Sequence, residues 1–172
     1  MKIVSIDPGL NTGAAVGYCD AITPYRLVER FQIHAGEEGF SNWIAEGHLV
    51  DADVIVVEKF ILANNEFVAD TIPLLLEGIL IGAQLFGEGV VADVPIVWQP
   101  RTDKSVLTGY PAAAKTKAQK QRVRFDFLDR FGMFKAGTEN DDSNDAITHA
   151  LIWAKRAKHY PSLIAFWPPP QL

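Results

Sequence analysis

At 172 residues with 48% hydrophobic composition, the chain is long enough for one well-buried core and too short for two comfortable domains. Cys19 is the single cysteine, which excludes an intrachain disulfide and a thiolate zinc cluster and fits a reducing, cytoplasmic setting. The net charge of −5 argues at first against a polyanionic partner.

The N-terminus runs from Lys2 straight into a strand-like segment, without the basic-then-apolar order of a secretory signal. Residues 2–7, KIVSID, alternate toward an apolar core; Pro8 and Gly9, with Asn11 and Gly13, make a turn; residues 14–18 form a second short strand. Residues 25–34, with Leu27, Phe31 and Ile33, make a third, closed by Gly36. Phe40, Trp43, Ile44 and Leu49 predict an amphipathic helix weakened at its end by Gly47. Residues 53–58, DVIVVE, form a continuous apolar run of the kind covered on both faces, and its place after a helix predicts a parallel crossover.

Residues 59–71 carry Asn64, Asn65 and Asp70 and predict a loop or frayed helix. Residues 71–86 predict a helix with Pro73 in its first turn. This is the longest apolar stretch, and it is too short and too interrupted by Pro73 and Glu77 to span a bilayer, so no membrane partner is expected. Leu74, Leu75, Leu76, Ile79, Leu80, Ile81 and Leu85 nearly encircle it, which demands burial on most sides, against the sheet and against a second copy of the chain. Residues 95–98 form a fifth strand, 99–107 and 115–131 are helical with a break at Tyr110-Pro111, and a last helix runs from Asp142 or Ser143 to about Lys158. The domain is therefore expected to occupy residues 1–158, with 159–172 a proline-rich tail running extended over the surface. Three antiparallel strands followed by parallel additions and covering helices predict an α/β fold with a mixed five-stranded sheet flanked by helices.

Charge is unevenly spread. Residues 101–135 hold nine bases (Arg101, Lys104, Lys115, Lys117, Lys120, Arg122, Arg124, Arg130, Lys135) against three acids, a local balance of +6. A solvated helix surface explains such a run as well as a phosphate-binding face does.

Four acids carry the sharper signal. Asp7 and Glu58 each end a predicted core strand, and they meet if those strands are neighbours. Asp142 and Asp145 lie i, i+3 at a helix start, where both point to one side and the helix terminus favours the ionised form. Hard divalent cations take such oxygen ligands, and two of them roughly 3.5–4 Å apart stabilise the attacking and leaving oxygens of phosphodiester hydrolysis. Each acid also has a purely structural explanation: Asp7 as a turn residue, Glu58 as an exposed strand end, Asp142 or Ser143 as a helix cap. Singly these explanations suffice; jointly they leave unexplained why the acids fall where one site can assemble. His149, one turn beyond Asp145, could orient a carboxylate or a water, but as a lone helical histidine it is assigned to packing or surface.

SIDPGLNTG, VVEKF, the basic KTKAQKQRV and DDSNDAITHAL, in this order across nearly the whole chain, resemble the RuvC family of Holliday-junction resolvases within the ribonuclease H-like superfamily. The resemblance implies a ribonuclease H-like fold and a crossover junction endodeoxyribonuclease that uses two Mg2+ or Mn2+ ions per active site. It also implies a homodimer, here through helix 72–86, that makes paired nicks in four-way junctions and leaves 5′-phosphate and 3′-hydroxyl ends. Matched by position, Asp7, Glu58, Asp142 and Asp145 correspond to the family's metal-binding tetrad, with Asp141 competing for the place of Asp142 at i, i+4 from Asp145. Lys117 matches a catalytic lysine of the basic helix, with Lys115 as its competitor because of the insertion around residues 111–114, and Lys104 matches another functional lysine. Phe60 falls one residue short of the family's junction-stacking aromatic, and Arg122 joins Lys104, Lys115, Lys117 and Phe60 as an expected DNA contact. A nuclease for flaps, forks or RNA:DNA hybrids, and a non-catalytic module binding branched DNA, are the alternatives.

Overall fold

A computed structural model describes residues 1–59, 71–86, 93–109, 113–137 and 141–168. At its centre β1 (Lys2–Asp7) is apolar and buried from Ile3 to Ile6, because it has a strand on either side and helices above and below. β2 (Thr12–Tyr18) returns antiparallel to β1, and β3 (Arg26–Ile33) pairs antiparallel with β2. β4 (Val54–Lys59) and β5 (Ile96–Pro100) add in parallel on the other side, giving a five-stranded sheet in the order β3-β2-β1-β4-β5. The mixed sheet expected from the sequence is therefore present, with the predicted parallel crossovers.

Strand alternation assigns each face. Val4, Ile6, Ile55 and Val57 point to one side, where α1 (Gly36–Ala45) supplies Phe40 and Trp43 and α2 (Ile72–Phe86) supplies Leu76 and Leu80. Ile3, Val56 and Val97 point to the other side, against α4 (Asp141–Arg156), α3 (Lys117–Arg130) and α5 (Tyr160–Phe166). On that second face, the polar residues Asp7, Glu58 and Gln99 continue the same alternation. The sheet thus carries three functional groups in line with its own core.

α4 is the central helix of this face. Ala146, Ile147, Ala150 and Leu151 are fully buried, and truncating a residue such as Leu151 to Ala costs about 2–5 kcal/mol at a site of this kind. Its N-terminal turn lies almost on the backbone of β2: a Cβ built at Gly13 would stand 2.0 Å from the carbonyl carbon and oxygen of Asp142. Only glycine leaves room for that approach. Asn144 then locks the turn, since its amide donates to Lys135 O at 2.9 Å and its Oδ1 accepts from Lys135 N–H at 3.2 Å and from Arg30 at 3.0 Å.

The segments that differ from expectation have local causes. Residues 99–107 were expected to be helical, but β5 extends through Pro100, and a 3-10 helix (Arg101–Val106) follows. Pro100 itself is extended, and a residue preceding proline is biased the same way. α1 stops before Gly47, whose φ of +87° breaks the helix. The segment after 159, expected to run extended, instead forms α5, because Pro161 is tolerated in a first helical turn and Phe166 finds a place in the core. Ser162 Oγ accepts from Tyr25 N–H at 2.8 Å, and Trp167 Nε1 donates to Leu107 O at 2.7 Å. α2 packs Leu76 and Leu80 against the sheet, the first of the two coverings expected for it. Within this chain Leu75, Ile81, Leu85 and Phe86 are exposed, the last two by 68% and 85%.

Substituting Gly13→Ala should lower stability by about 2 kcal/mol through overpacking against Asp142, visible as a lower thermal midpoint. It should also move the N-terminus of α4 away from β1, which amide chemical shifts of Asp142 to Asp145 will report.

Candidate active site

Ile6 pairs with Val57, so Asp7 and Glu58 follow at the same end of adjacent parallel strands. Glu58 in turn pairs with Gln99 of β5. α4 crosses this sheet end and presents Asp145 and, one turn on, His149. The 3-10 helix after β5 turns Lys104 inward, and α3 presents Lys117, Lys120, Gln121 and Arg124 at helical spacing along one stripe. Together they line an open cleft of about 1090 Å³ whose floor includes Asp7, Glu58, Asp142 and Asp145.

The floor is held by cations. Lys104 Nζ lies 2.7 Å from Glu58 Oε2, 2.8 Å from Asp145 Oδ2 and 3.5 Å from Asp7 Oδ1. Arg124 grips Asp145 through Nη2, which donates to Oδ1 at 2.9 Å and to Oδ2 at 3.2 Å. On the far side His149, fully buried, sits between Gln99 and Glu58, with 2.8 Å from Nδ1 to Gln99 Oε1 and 2.8 Å from Nε2 to Glu58 Oε2.

These neighbours divide the acids. Burial, reinforced by the charges of Glu58 and Asp145 and opposed by Lys104, raises the Asp7 carboxyl well above the usual range. Burial also acts against ionised Glu58, but the hydrogen bond from His149 and the Lys104 ammonium outweigh it and hold that carboxyl below its ordinary value. Asp145 is lowered in the same way, burial being overcome by Lys104 and Arg124. Burial lowers His149 against the pull of Glu58, so the ring is neutral near pH 7. Lys104 stays charged, because three carboxylates more than offset its burial.

A neutral imidazole has one N–H, and Glu58 decides where it sits. The 2.8 Å contact of Nε2 with ionised Glu58 puts the proton on Nε2 and leaves Nδ1 an acceptor; with Gln99 Oε1 facing Nδ1 two acceptors meet and the Gln99 NH2 has no partner. Turning the amide over lets that NH2 donate to Nδ1, and Nε2–H then donates to Glu58. The pair therefore supplies an orienting donor to Glu58.

Solved structures share this architecture. Thermus thermophilus RuvC in complex with a Holliday junction substrate superposes with a TM-score of 0.60 at 18% identity, over 94% of this chain and 97% of that one. The fowlpox virus resolvase with Holliday junction DNA superposes with a TM-score of 0.60 at 14% identity, over 92% and 99%. Thermus thermophilus RuvC in a further structure gives 0.57 at 21% identity, over 91% and 97%. The chain has the ribonuclease H-like fold of RuvC. No family model matches it, and no curated protein matches its sequence.

Within this RuvC-like fold the residues singled out from the sequence are distributed unevenly. Asp7, Glu58 and Asp145 meet around Lys104. Asp142 lines the same cleft, with Oδ2 accepting from Gln32 Nε2 at 2.8 Å. Its competitor Asp141 opens α4, but its side chain lies outside what is described, as does Phe60. Lys117 lines the cleft as the first residue of α3, while Lys115 is exposed before the Thr116 cap. Arg122 points elsewhere, lining a smaller groove with Phe125 and Phe134 and lying 4.0 Å from Asp126.

His149, Gln99, Arg124 and Gln32 were not assigned to a site from the sequence. Signals for three of them existed: His149 is i+4 from Asp145, Arg124 is i+7 from Lys117, and Gln99 shares the strand-end level of Glu58.

Because the folded-state pKa of Asp7 is raised, the native protein binds more protons than the unfolded chain as pH climbs from the ordinary aspartate range through that raised value, and stability falls across that window. Asp7→Asn removes the titration. In chelator at neutral pH the variant should melt a few degrees higher than wild type, the shift that ~1 kcal/mol produces in a domain of this size, and its stability should lack the decline with pH. Melting curves between pH 4 and 8 check both.

Proposed function

We propose that the chain is a divalent-metal-dependent endonuclease that resolves four-way DNA junctions by paired nicks. The observation carrying this is the convergence of Asp7, Glu58 and Asp145 from three elements on the floor of a cleft whose wall is the basic stripe of α3. Two structures with the same fold were solved with Holliday junction DNA bound, which supports a branched-DNA substrate for this one.

The donor set fits a hard cation. Ligand atoms of Asp7, Glu58 and His149 lie within 4.8 Å of one another, and the carboxylate oxygens among them suit Mg2+ or Mn2+. Asp7, Glu58, Asp142 and Asp145 would hold the ions. When bound, such ions stabilise the attacking and leaving oxygens of phosphodiester hydrolysis. Gln32 keeps Asp142 turned into the cleft, and His149 and Gln99 fix the rotamer of Glu58. Lys117 and Lys120 place the DNA backbone along the wall, as charge-assisted contacts to phosphate do, while buried Arg124 holds Asp145 beneath them. In the reaction a water oxygen bonds to phosphorus while the P–O3′ bond breaks and O3′ takes up a proton, leaving a 5′-phosphate and a 3′-hydroxyl.

A four-way junction presents two equivalent strands, so two active sites related by a two-fold axis are needed for paired cuts. α2 offers the surface for a second copy. Leu75, Ile81 and Leu85 are exposed beside Gly78 and Gly82, at which an added Cβ would touch nothing, so a partner helix can approach closely. Among the described residues no helix is long and apolar enough to cross a membrane, so the apolar face of α2 is not that of a spanning segment.

Asp145→Asn should reduce junction cleavage about a hundredfold or more, the loss of several kcal/mol of transition-state stabilisation, while junction binding in a gel-shift assay persists. Strand mapping should show symmetric nicks on a mobile four-way junction and little cutting of flaps, forks or RNA:DNA hybrids under the same conditions. Equal cutting of all four would favour a general branched-DNA nuclease, and no Mg2+- or Mn2+-dependent cutting would leave a binding module.

Leu85→Glu should give a monomer by sedimentation at micromolar concentration, with stability of the folded chain changed by less than ~0.5 kcal/mol. It should also convert paired nicks into single, uncoupled ones.

A further inference from the structure

Lys104 does something unusual for a lysine flanking a DNA-binding face. Its side chain is only 9% exposed, and its ammonium is turned onto the acids of the cleft floor. The ammonium lies among three carboxylates contributed by β1, β4 and α4, at 3.5, 2.7 and 2.8 Å, and donates to those of Asp7 and Asp145. A buried charge persists only when paired and hydrogen-bonded, and here its partners are the same oxygens that would hold a divalent ion.

Both cations cannot use those oxygens together. An ion drawing on Asp7 and Glu58 would compete with the ammonium for two of the carboxylates it contacts, and two positive charges that close repel. Arg124 is differently placed. It meets Asp145 alone among the three acids in the contacts described, so it can remain while the centre changes hands.

We infer that Lys104 is a built-in occupant of the cation site: its ammonium closes the acid cluster when no divalent ion is bound, and metal loading proceeds by expelling it into the cleft. This rests on the metal-binding reading of the site. It adds that metal affinity is set by a competition internal to the chain, and that Lys104 becomes available to phosphate only after the ion has arrived.

The test reads the lysine and the metal, not cleavage. Whole wild-type protein is labelled with trace acetic anhydride, and modification of Lys104 is measured by mass spectrometry relative to Lys158, which is exposed beyond the far end of α4. In chelator Lys104 should react much more slowly than Lys158, and saturating Mg2+ or Mn2+ should raise its rate about tenfold with Lys158 unchanged, as expected for a buried amine released to solvent. In parallel, loss of the free Mn2+ signal in electron paramagnetic resonance gives the ion's affinity, and Lys104→Met should bind Mn2+ about tenfold more tightly than wild type once the competing charge is gone. Unchanged protection of Lys104 at Mn2+ saturation overturns the exchange even if the protein cuts DNA normally, because the nuclease reading then stands without it. Failure of both wild type and Lys104→Met to bind Mn2+ overturns the metal reading and the exchange together. The labelling experiment needs no variant, so a poorly folding Lys104→Met leaves the first outcome decisive.

Discussion

Three carboxylates forced into one partly buried space are the constraint to which the rest of this structure answers. At an effective dielectric near 20, each pair of like charges 4 Å apart repels by roughly 4 kcal/mol, and taking each charge out of water costs several more. No protein of marginal stability carries that cluster uncompensated. Compensation is visible at every acid: Lys104 lies among all three, Arg124 grips Asp145, and His149 faces Glu58. Asp7 lies farthest from Lys104, at 3.5 Å, and with burial and the neighbouring Glu58 against it, it is the acid whose ionisation the fold opposes. The cluster is thus a place where stability is given up for a function that needs concentrated negative charge.

What makes the cluster affordable is how little irregular structure it requires. Asp7, Glu58 and Gln99 are ordinary next residues of buried strands, placed on the α4 face by the alternation that places Ile3, Val56 and Val97 there. α4 is anchored along its length by buried Ala146, Ile147, Ala150 and Leu151, and its first turn is set by Gly13, Asn144 and Arg30. Rigid elements carry every acid, so the groups that repel one another cannot drift apart to relieve the repulsion.

The acids were legible because each sits at a boundary the sequence marks: the polar residue ending an apolar run, or the polar start of an amphipathic helix. The order of strands and helices was legible for the same reason, since periodicity changes from one element to the next. Partner identity was not. That Lys104, among nine bases, turns inward depends on where β5 ends at Pro100 and on the 3-10 helix that replaces the expected α-helix, and local propensity does not decide that direction. His149 was assigned to packing because a single helical histidine carries no periodic signal of its own; only the register of β4 with β5 brings Glu58 and Gln99 to its two nitrogens. α5 was missed because prolines suggested an extended tail, whereas Phe166 and Trp167 had core positions to fill.

Charge segregation reconciles an acidic protein with the polyanionic substrate of the proposed function. A net charge of −5 sets the far field, but phosphate contacts are made within a Debye length of about 10 Å, where the Lys117, Lys120 and Arg124 stripe faces the cleft. The floor beneath that stripe is acidic and repels a backbone that approaches closely. Wall and floor, under the proposed function, act in opposite senses on the same strand: the wall would draw DNA in, and the floor would admit a phosphate only after cations have reversed its sign. Under the proposed function, binding without cutting is then the natural state of the metal-poor protein, and the step that licenses chemistry is a change of charge at the floor rather than a movement of the fold.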